Sequence, residues 1–263
     1  MDLGIKNKVA LVAAASQGLG KAAALSLAKE GVNLAICSRN EKAINAAAQE
    51  IASSTGVKVL PVVADVSNAD DIDKLVQRVV KEYGTIHILV NNAGGPPVGK
   101  ITSLPDVEWE KGYNLTLMSM VRLTRSVLPL MEKQQWGRVV TIVSLVAKQP
   151  MDDLLISSTI RPGILGLSKV LANQYGTFNI TVNTICPGLI FTKRQEELSK
   201  SRSAEKNMTL EEYLADSAKQ IPIGRLGKPE EIGDVIAFLA SERASFINGI
   251  NLLVDGGQVK GIY

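Results

Sequence analysis

Histidine is almost absent from this chain. A single one, His87, serves 263 residues, so chemistry that needs an imidazole has one candidate, and it lies at the start of a strand-like run, where a satisfied edge residue is the simpler expectation. Cysteine is nearly as scarce. Cys37 and Cys186 both sit in apolar strand-like runs, which suits small buried hydrophobes and gives no disulfide framework or metal site. Charge of one sign is not concentrated either: the net charge of +3 is small and scattered, which argues against a nucleic-acid partner. No apolar run approaches the ~20 residues of a membrane span. Met1 is followed by Asp2 and Lys6 without the apolar core of a signal peptide, so the expectation is a soluble cytoplasmic protein with no membrane association. Internal repeats and low-complexity segments are missing too.

What is present is alternation. Apolar runs at Val9–Ala14, Asn33–Cys37, Val57–Val63, His87–Val90, Val139–Val143, Ile180–Ile185 and Ile250–Val254 read as strands. Helical patterns separate them: Gly20–Lys29, Glu41–Ser53, Ala69–Tyr83, a long Glu108–Met131, Gly163–Tyr175 and Pro229–Ser241. The strands are near-continuous Val, Ile and Leu, the signature of burial on both faces of a parallel sheet. The fold class is therefore α/β: a single Rossmann-type doubly wound parallel sheet of about seven strands flanked by helices, with residues 1–263 as one domain. Lys193–Lys219, rich in Lys, Glu and Ser, reads as an inserted helical flap over the substrate cleft rather than a linker.

The first strand runs into Ala13-Ala14-Ala15-Ser16-Gln17-Gly18-Leu19-Gly20, which opens a helix. A strand, a turn of small residues and a helix N-terminus make a phosphate site, because the backbone can approach a pyrophosphate and free N–H groups face it. Ala14, Ser16, Gly18, Leu19 and Gly20 are the binding candidates. Ala14 stands where a glycine is expected, so the turn is adjusted or the grip loosened. A tight turn without a ligand is the alternative. At the end of the second strand an acidic residue would accept the 2′-hydroxyl of an NAD ribose. Arg39 stands there instead and offers a planar cation for a 2′-phosphate, which favours NADP(H) over NAD(H); a solvated surface arginine is the alternative.

With Asn91-Asn92-Ala93-Gly94, Asp65-Val66, Asn114, Ser144, Pro187-Gly188 with Thr192, and Val254-Asp255-Gly256-Gly257, the chain resembles the short-chain dehydrogenase/reductase family over nearly its whole length. Ile221–Glu231 is similar to β-ketoacyl-acyl-carrier-protein reductases. The resemblance implies that Asp65 and Val66 flank the adenine, that Asn92 and Gly94 line the cofactor ribose, and that Ile190 and Thr192, after Pro187-Gly188, touch the nicotinamide end. It implies a catalytic tetrad of Asn, Ser, Tyr and Lys. Asn114 and Ser144 match; Ser157 and Arg161 fall on the Tyr and Lys positions and do not. His87 stands where family members often have Asp.

These two departures bear on chemistry. A tyrosine begins near pKa ~10 and is brought toward neutrality by its neighbours, whereas serine is a far weaker acid and shorter by a ring. Arg161 keeps the charge but cannot cycle its proton. Pro162 fits only a first helical turn, so the helix should start near Ser158, and Ser157-Ser158-Thr159 then reads as an N-cap cluster. Ser144 has a plainer reading too, a strand-end hydroxyl bonded to backbone. Lys148 is near enough in sequence to approach the cleft. Two functions are open: a reductase of a small-molecule or acyl-thioester carbonyl, 3-oxoacyl-type by resemblance, working with an altered acid; or a non-catalytic dinucleotide-binding member or partner subunit. Surplus apolar residues on two helices, Leu115, Leu117, Met118, Met120, Ile164, Leu165, Leu167 and Leu171, imply a homo-oligomer, a tetramer or dimer.

Overall fold

Every strand of this protein is parallel to its neighbours. A computed structural model describes residues 1–262. The strands are β1 (Val9–Val12), β2 (Asn33–Ser38), β3 (Val59–Val63), β4 (Ile88–Asn91), β5 (Gly137–Ile142), β6 (Ile180–Pro187) and β7 (Asn251–Val254). They form one sheet in the order β3-β2-β1-β4-β5-β6-β7. The order reverses between β1 and β4, so their carboxyl ends open a crevice where the chain leaves in opposite directions.

Alternation along the strands divides the core in two. Ala10, Val12, Leu34, Ile36, Ile88 and Val90 face one side. That side is covered by α1 (Gly18–Lys29), α2 (Glu41–Thr55) and α9 (Pro229–Leu239). Leu11, Ala35, Cys37, Leu89 and Val139 face the other. There lie α3 (Ala69–Tyr83), α5 (Ser119–Lys133) and α6 (Leu155–Tyr175). Burial on both faces is what the near-continuous apolar runs predict. Both cysteines are buried in this core, and burial pushes the Cys37 thiol up to about 11 and raises that of Cys186. Among the described residues no helix is long and apolar enough to cross a membrane.

Strand and helix ends shift by a residue or two from the pattern, as frayed ends do. Two differences are larger. The long helix expected over Glu108–Met131 is broken into α4 (Asp106–Tyr113), a π turn over Asn114–Met118, and α5. One extra residue per turn rotates the remainder of the helix and commonly marks a functional site. The helix expected to begin near Ser158 begins at Leu155, so the Ser157–Thr159 cluster is not its cap. Ser158 Oγ instead accepts from Met151 N at 3.2 Å and donates to Met151 O at 3.3 Å. Pro162 is accommodated well inside α6 because it, Gly163 and Gly166 lie on the exposed side. The segment after β6 is helical: α7 (Lys193–Glu205) and α8 (Leu210–Lys219), the latter opened by a Thr209/Glu212 capping box.

At the end of the sheet away from the crevice, Arg138 is fully buried. Its guanidinium donates to Gly137 O and Asn179 O, both at 2.9 Å, pairs with Glu242 at 3.4 Å, and lies 4.4 Å from the Trp136 ring centre. His87 joins this cluster. Its Nδ1 accepts the Val9 N–H at 3.0 Å, and its ring meets Trp136 edge-on. Burial, then the Lys8 ammonium, lowers its pKa from 6.5 to about 4. The unfolded chain therefore binds the extra proton first. Stability owed to neutral His87 is complete above pH about 6.5 and is lost as pH falls from there toward about 4. Because the ring is only half-buried, about 1 kcal/mol is expected after solvent screening. Urea unfolding should show wild type losing that much more than His87→Gln between neutral and acidic pH. Parallel pH profiles would refute it.

Candidate active site

The crevice between β1 and β4 holds a cleft of about 480 Å³. Its floor is the turn from β1 into α1. Ala14 adopts φ +48° and Gly18 φ +59°. Gly20 opens the helix against backbone: a Cβ there would stand 2.4 Å from Ala14 O and 2.7 Å from Asn92 Nδ2. Asn92 in turn donates to Ala13 O at 3.3 Å and Ala14 O at 3.2 Å, tying the β4 end to the turn. Gln17, the N-cap of α1, makes no side-chain cap bond, so the first-turn N–H groups are left to the cleft. The alanine in place of glycine is thus met by a left-handed backbone rather than a different turn. That conformation costs an L-residue about 1–2 kcal/mol. Ala14→Gly relieves it but gains unfolded-state entropy, so a net stabilisation of about 0.5 kcal/mol is expected by thermal denaturation. A less stable variant would show that Ala14 contributes packing that outweighs the strain.

Of the binding candidates, Ala14, Ser16, Gly18, Leu19, Arg39, Asp65, Val66, Asn92, Gly94 and Thr192 line the cleft. Gly20 lies just beneath it. Pro187, Gly188 and Ile190 do not line it. Gly188 is packed against Asp255, 2.7 Å from where its Cβ would be, and Ile190 is buried against Gly227. Their part is to carry the chain from β6 to Thr192. At the far end, Arg39 is largely exposed and stands 4.0 Å from Asp65 Oδ2. The end of β2 holds no carboxylate, but the neighbouring end of β3 leads to one, because adjacent parallel strands bring their carboxyl ends together.

The four catalytic candidates lie beside the cleft rather than on it. Ser144 comes two residues after β5 with an extended backbone (φ 174°), and its Oγ accepts from Val146 N at 3.3 Å, leaving its proton to donate. Ser157 and Arg161 are one turn apart on the buried side of α6. Arg161 Nη1 donates to Val143 O at 2.5 Å, which holds α6 to the end of β5 one residue before Ser144. Burial chiefly lowers its pKa to about 10, so it stays charged at neutral pH. Asn114 opens the π turn, but its side chain is tied along its own helix: Nδ2 donates to Glu110 O at 3.0 Å and Oδ1 accepts from Arg122 at 3.2 Å. The π turn instead brings Leu115 to the cleft and Thr116 to a small cavity behind it, which Asn91, Asn92 and Arg161 also line.

Sequence reasoning missed Lys193 and Arg194, which line the cleft from the first turn of α7. The available signal was their place directly after Thr192.

Comparison with known proteins agrees with this geometry. The model of a family described as enoyl-(acyl carrier protein) reductase matches residues 13–258. A 3-oxoacyl-[acyl-carrier-protein] reductase of Chlamydia muridarum is 37% identical, with 96% of this chain and 97% of the relative covered. Dehydrogenase/reductase SDR family member 4 of Oryctolagus cuniculus is 34% identical over 96% of this chain and 94% of its own. The crystal structure of L-sorbose reductase from Gluconobacter frateurii, complexed with NADPH and L-sorbose, is 34% identical, covers both chains fully and superposes with a TM-score of 0.96. The chain belongs to the short-chain dehydrogenase/reductase family.

Proposed function

We propose that this protein is an NADP(H)-dependent carbonyl reductase in which Ser157 and Arg161 replace the family's tyrosine and lysine. The observation that carries the reading is the cleft itself. It runs from Arg39, across the glycine-lined phosphate turn, to Gly94 and Thr192. The residues present fit a dinucleotide. Gly20 leaves backbone open where any Cβ would collide, α1 points its first N–H groups at the turn, and Arg39 offers a fork for a 2′-phosphate. The NADPH in the sorbose reductase supports the same reading. Reduced nicotinamide supplies hydride when bound.

The chain's own residues supply the rest. Ser144 Oγ, fixed by Val146 N–H, presents its proton to a carbonyl oxygen and polarises it. Arg161 places a permanent charge below the strand end but gives up no proton. The proton that completes an alcohol then comes from solvent, which predicts slow turnover. A second reading, a dinucleotide-binding member without catalysis, is favoured by one observation: Arg161 is committed to Val143 O, and both it and Ser157 are buried. Fluorescence titration with NADPH and NADH, followed by a carbonyl panel, separates the two. Binding with turnover supports the reductase, binding alone supports the second reading, and no binding overturns both.

The assembly reading narrows. Met120 and Ile164 are buried in the protomer, and Leu115 lines the cleft. Leu117, Met118, Leu165, Leu167 and Leu171 are only half-covered, and Val170 beside them is 50% exposed. These apolar residues favour a homo-oligomer that covers them. Sedimentation at micromolar concentration should give a dimer or tetramer; a monomer refutes it.

A further inference from the structure

The first turn of α7 carries two cations, Lys193 and Arg194, where the helix dipole disfavours positive charge. Both are exposed and both line the cleft. Among the described residues neither forms an ion pair: Glu196, the acid of that turn, is bonded to Lys200, and Asp153 is taken by Arg202. Arg194 reaches over the opening. Its Nη2 is 3.5 Å from Gly95 O and 3.2 Å from where a Gly95 Cβ would stand. The phosphate turn is met by a different residue of this segment, since Thr192 Cγ2 lies 3.8 Å from the Cβ position of Gly18. Arg194 is two residues further on and faces the loop beyond Gly94. Arg194 adds to burial in lowering the Arg161 pKa, and the buried Cys186 thiol feels Lys148 and Arg161 against Asp255.

We propose that Arg194, assisted by Lys193, is the anion-recognition group of the substrate pocket, and that the carbonyl substrate is an oxo acid with a free carboxylate. An exposed, planar guanidinium at the cleft edge, paired with no carboxylate among the described residues, is suited to a bidentate carboxylate. The proposal deepens the reductase reading and rests on it for the position of the carbonyl.

The test needs no turnover. Full-length protein saturated with NADP⁺ is titrated calorimetrically with acetoacetate and levulinate, and with the methyl ester of each. At least one acid is expected to bind 10-fold or more tighter than its ester. Arg194→Gln should erase that preference, and Arg194→Lys should restore part of it. Equal binding of acid and ester in wild type, or binding of neither, overturns the proposal. So does an Arg194→Gln variant that loses NADP⁺ but keeps the acid preference, because Arg194 is then a cofactor phosphate ligand. Failure of NADP⁺ to bind at all overturns the reductase reading separately. The same acid and ester titrations without cofactor then decide the anion site alone, by the presence or absence of an Arg194-dependent preference.

Discussion

The double variant Ser157→Tyr with Arg161→Lys is expected to reduce carbonyl substrates ~10²–10⁴-fold faster than wild type, the worth of a positioned proton donor. The gain should need both changes. A tyrosine at 157 alone would face Arg161, a charge that cannot pass a proton on, and Arg161→Lys alone surrenders the Val143 O contact at 2.5 Å without adding an acid. The site is also tight. Ser157 is 7% exposed and Arg161 8%, so the new ring must find room that the shorter lysine partly vacates. The measurement is single-turnover reduction followed by NADPH fluorescence. A double variant that binds NADPH as wild type does and remains inactive would show a pocket closed to catalysis beyond these two side chains, and would favour the non-catalytic reading.

Arg39→Ala should weaken NADPH selectively, by about 1–3 kcal/mol or roughly 5- to 150-fold, while NADH changes little. Asp65, 4.0 Å from the guanidinium, sharpens this expectation. With Arg39 removed, its carboxylate faces an incoming 2′-phosphate uncompensated, so the loss combines a missing attraction with an unmasked repulsion. Direct titration of both cofactors against both proteins decides. Equal losses, or none, would leave Arg39 as an ordinary surface arginine.

The sheet was legible because its inner strands are buried on both faces and carry largely apolar runs. Residues such as Leu34-Ala35-Ile36-Cys37 state that without help from distant sequence. The turn from β1 into α1 was legible for a local reason, small residues between a strand and a helix. Three things were not. The π turn at Asn114 leaves no periodicity of its own, since five residues are too few to show a change of pitch. The start of α6 was masked by Pro162, whose usual restriction is evaded because its side of the helix is exposed. The charge of the cleft was hidden in Lys193-Arg194, which read as part of a polar segment until the fold set both on the cleft and Arg194 opposite Gly95.

One seat in the molecule has a practical bearing on how it can be divided. The helix α1, which follows the turn at the end of β1, rests on α9, over 200 residues later. Gly233 sits where a Cβ would be 2.6 Å from Ala22 O, and Ser26 donates to Asp234 at 2.8 Å. The two helices touch backbone to backbone, so the turn's orientation is fixed from the far end of the chain. Grafting the first three strands onto another scaffold would therefore carry the β1–α1 turn without its foundation. A transplant meant to keep the site has to bring α9 along, or rebuild an equally small surface for α1 to stand on.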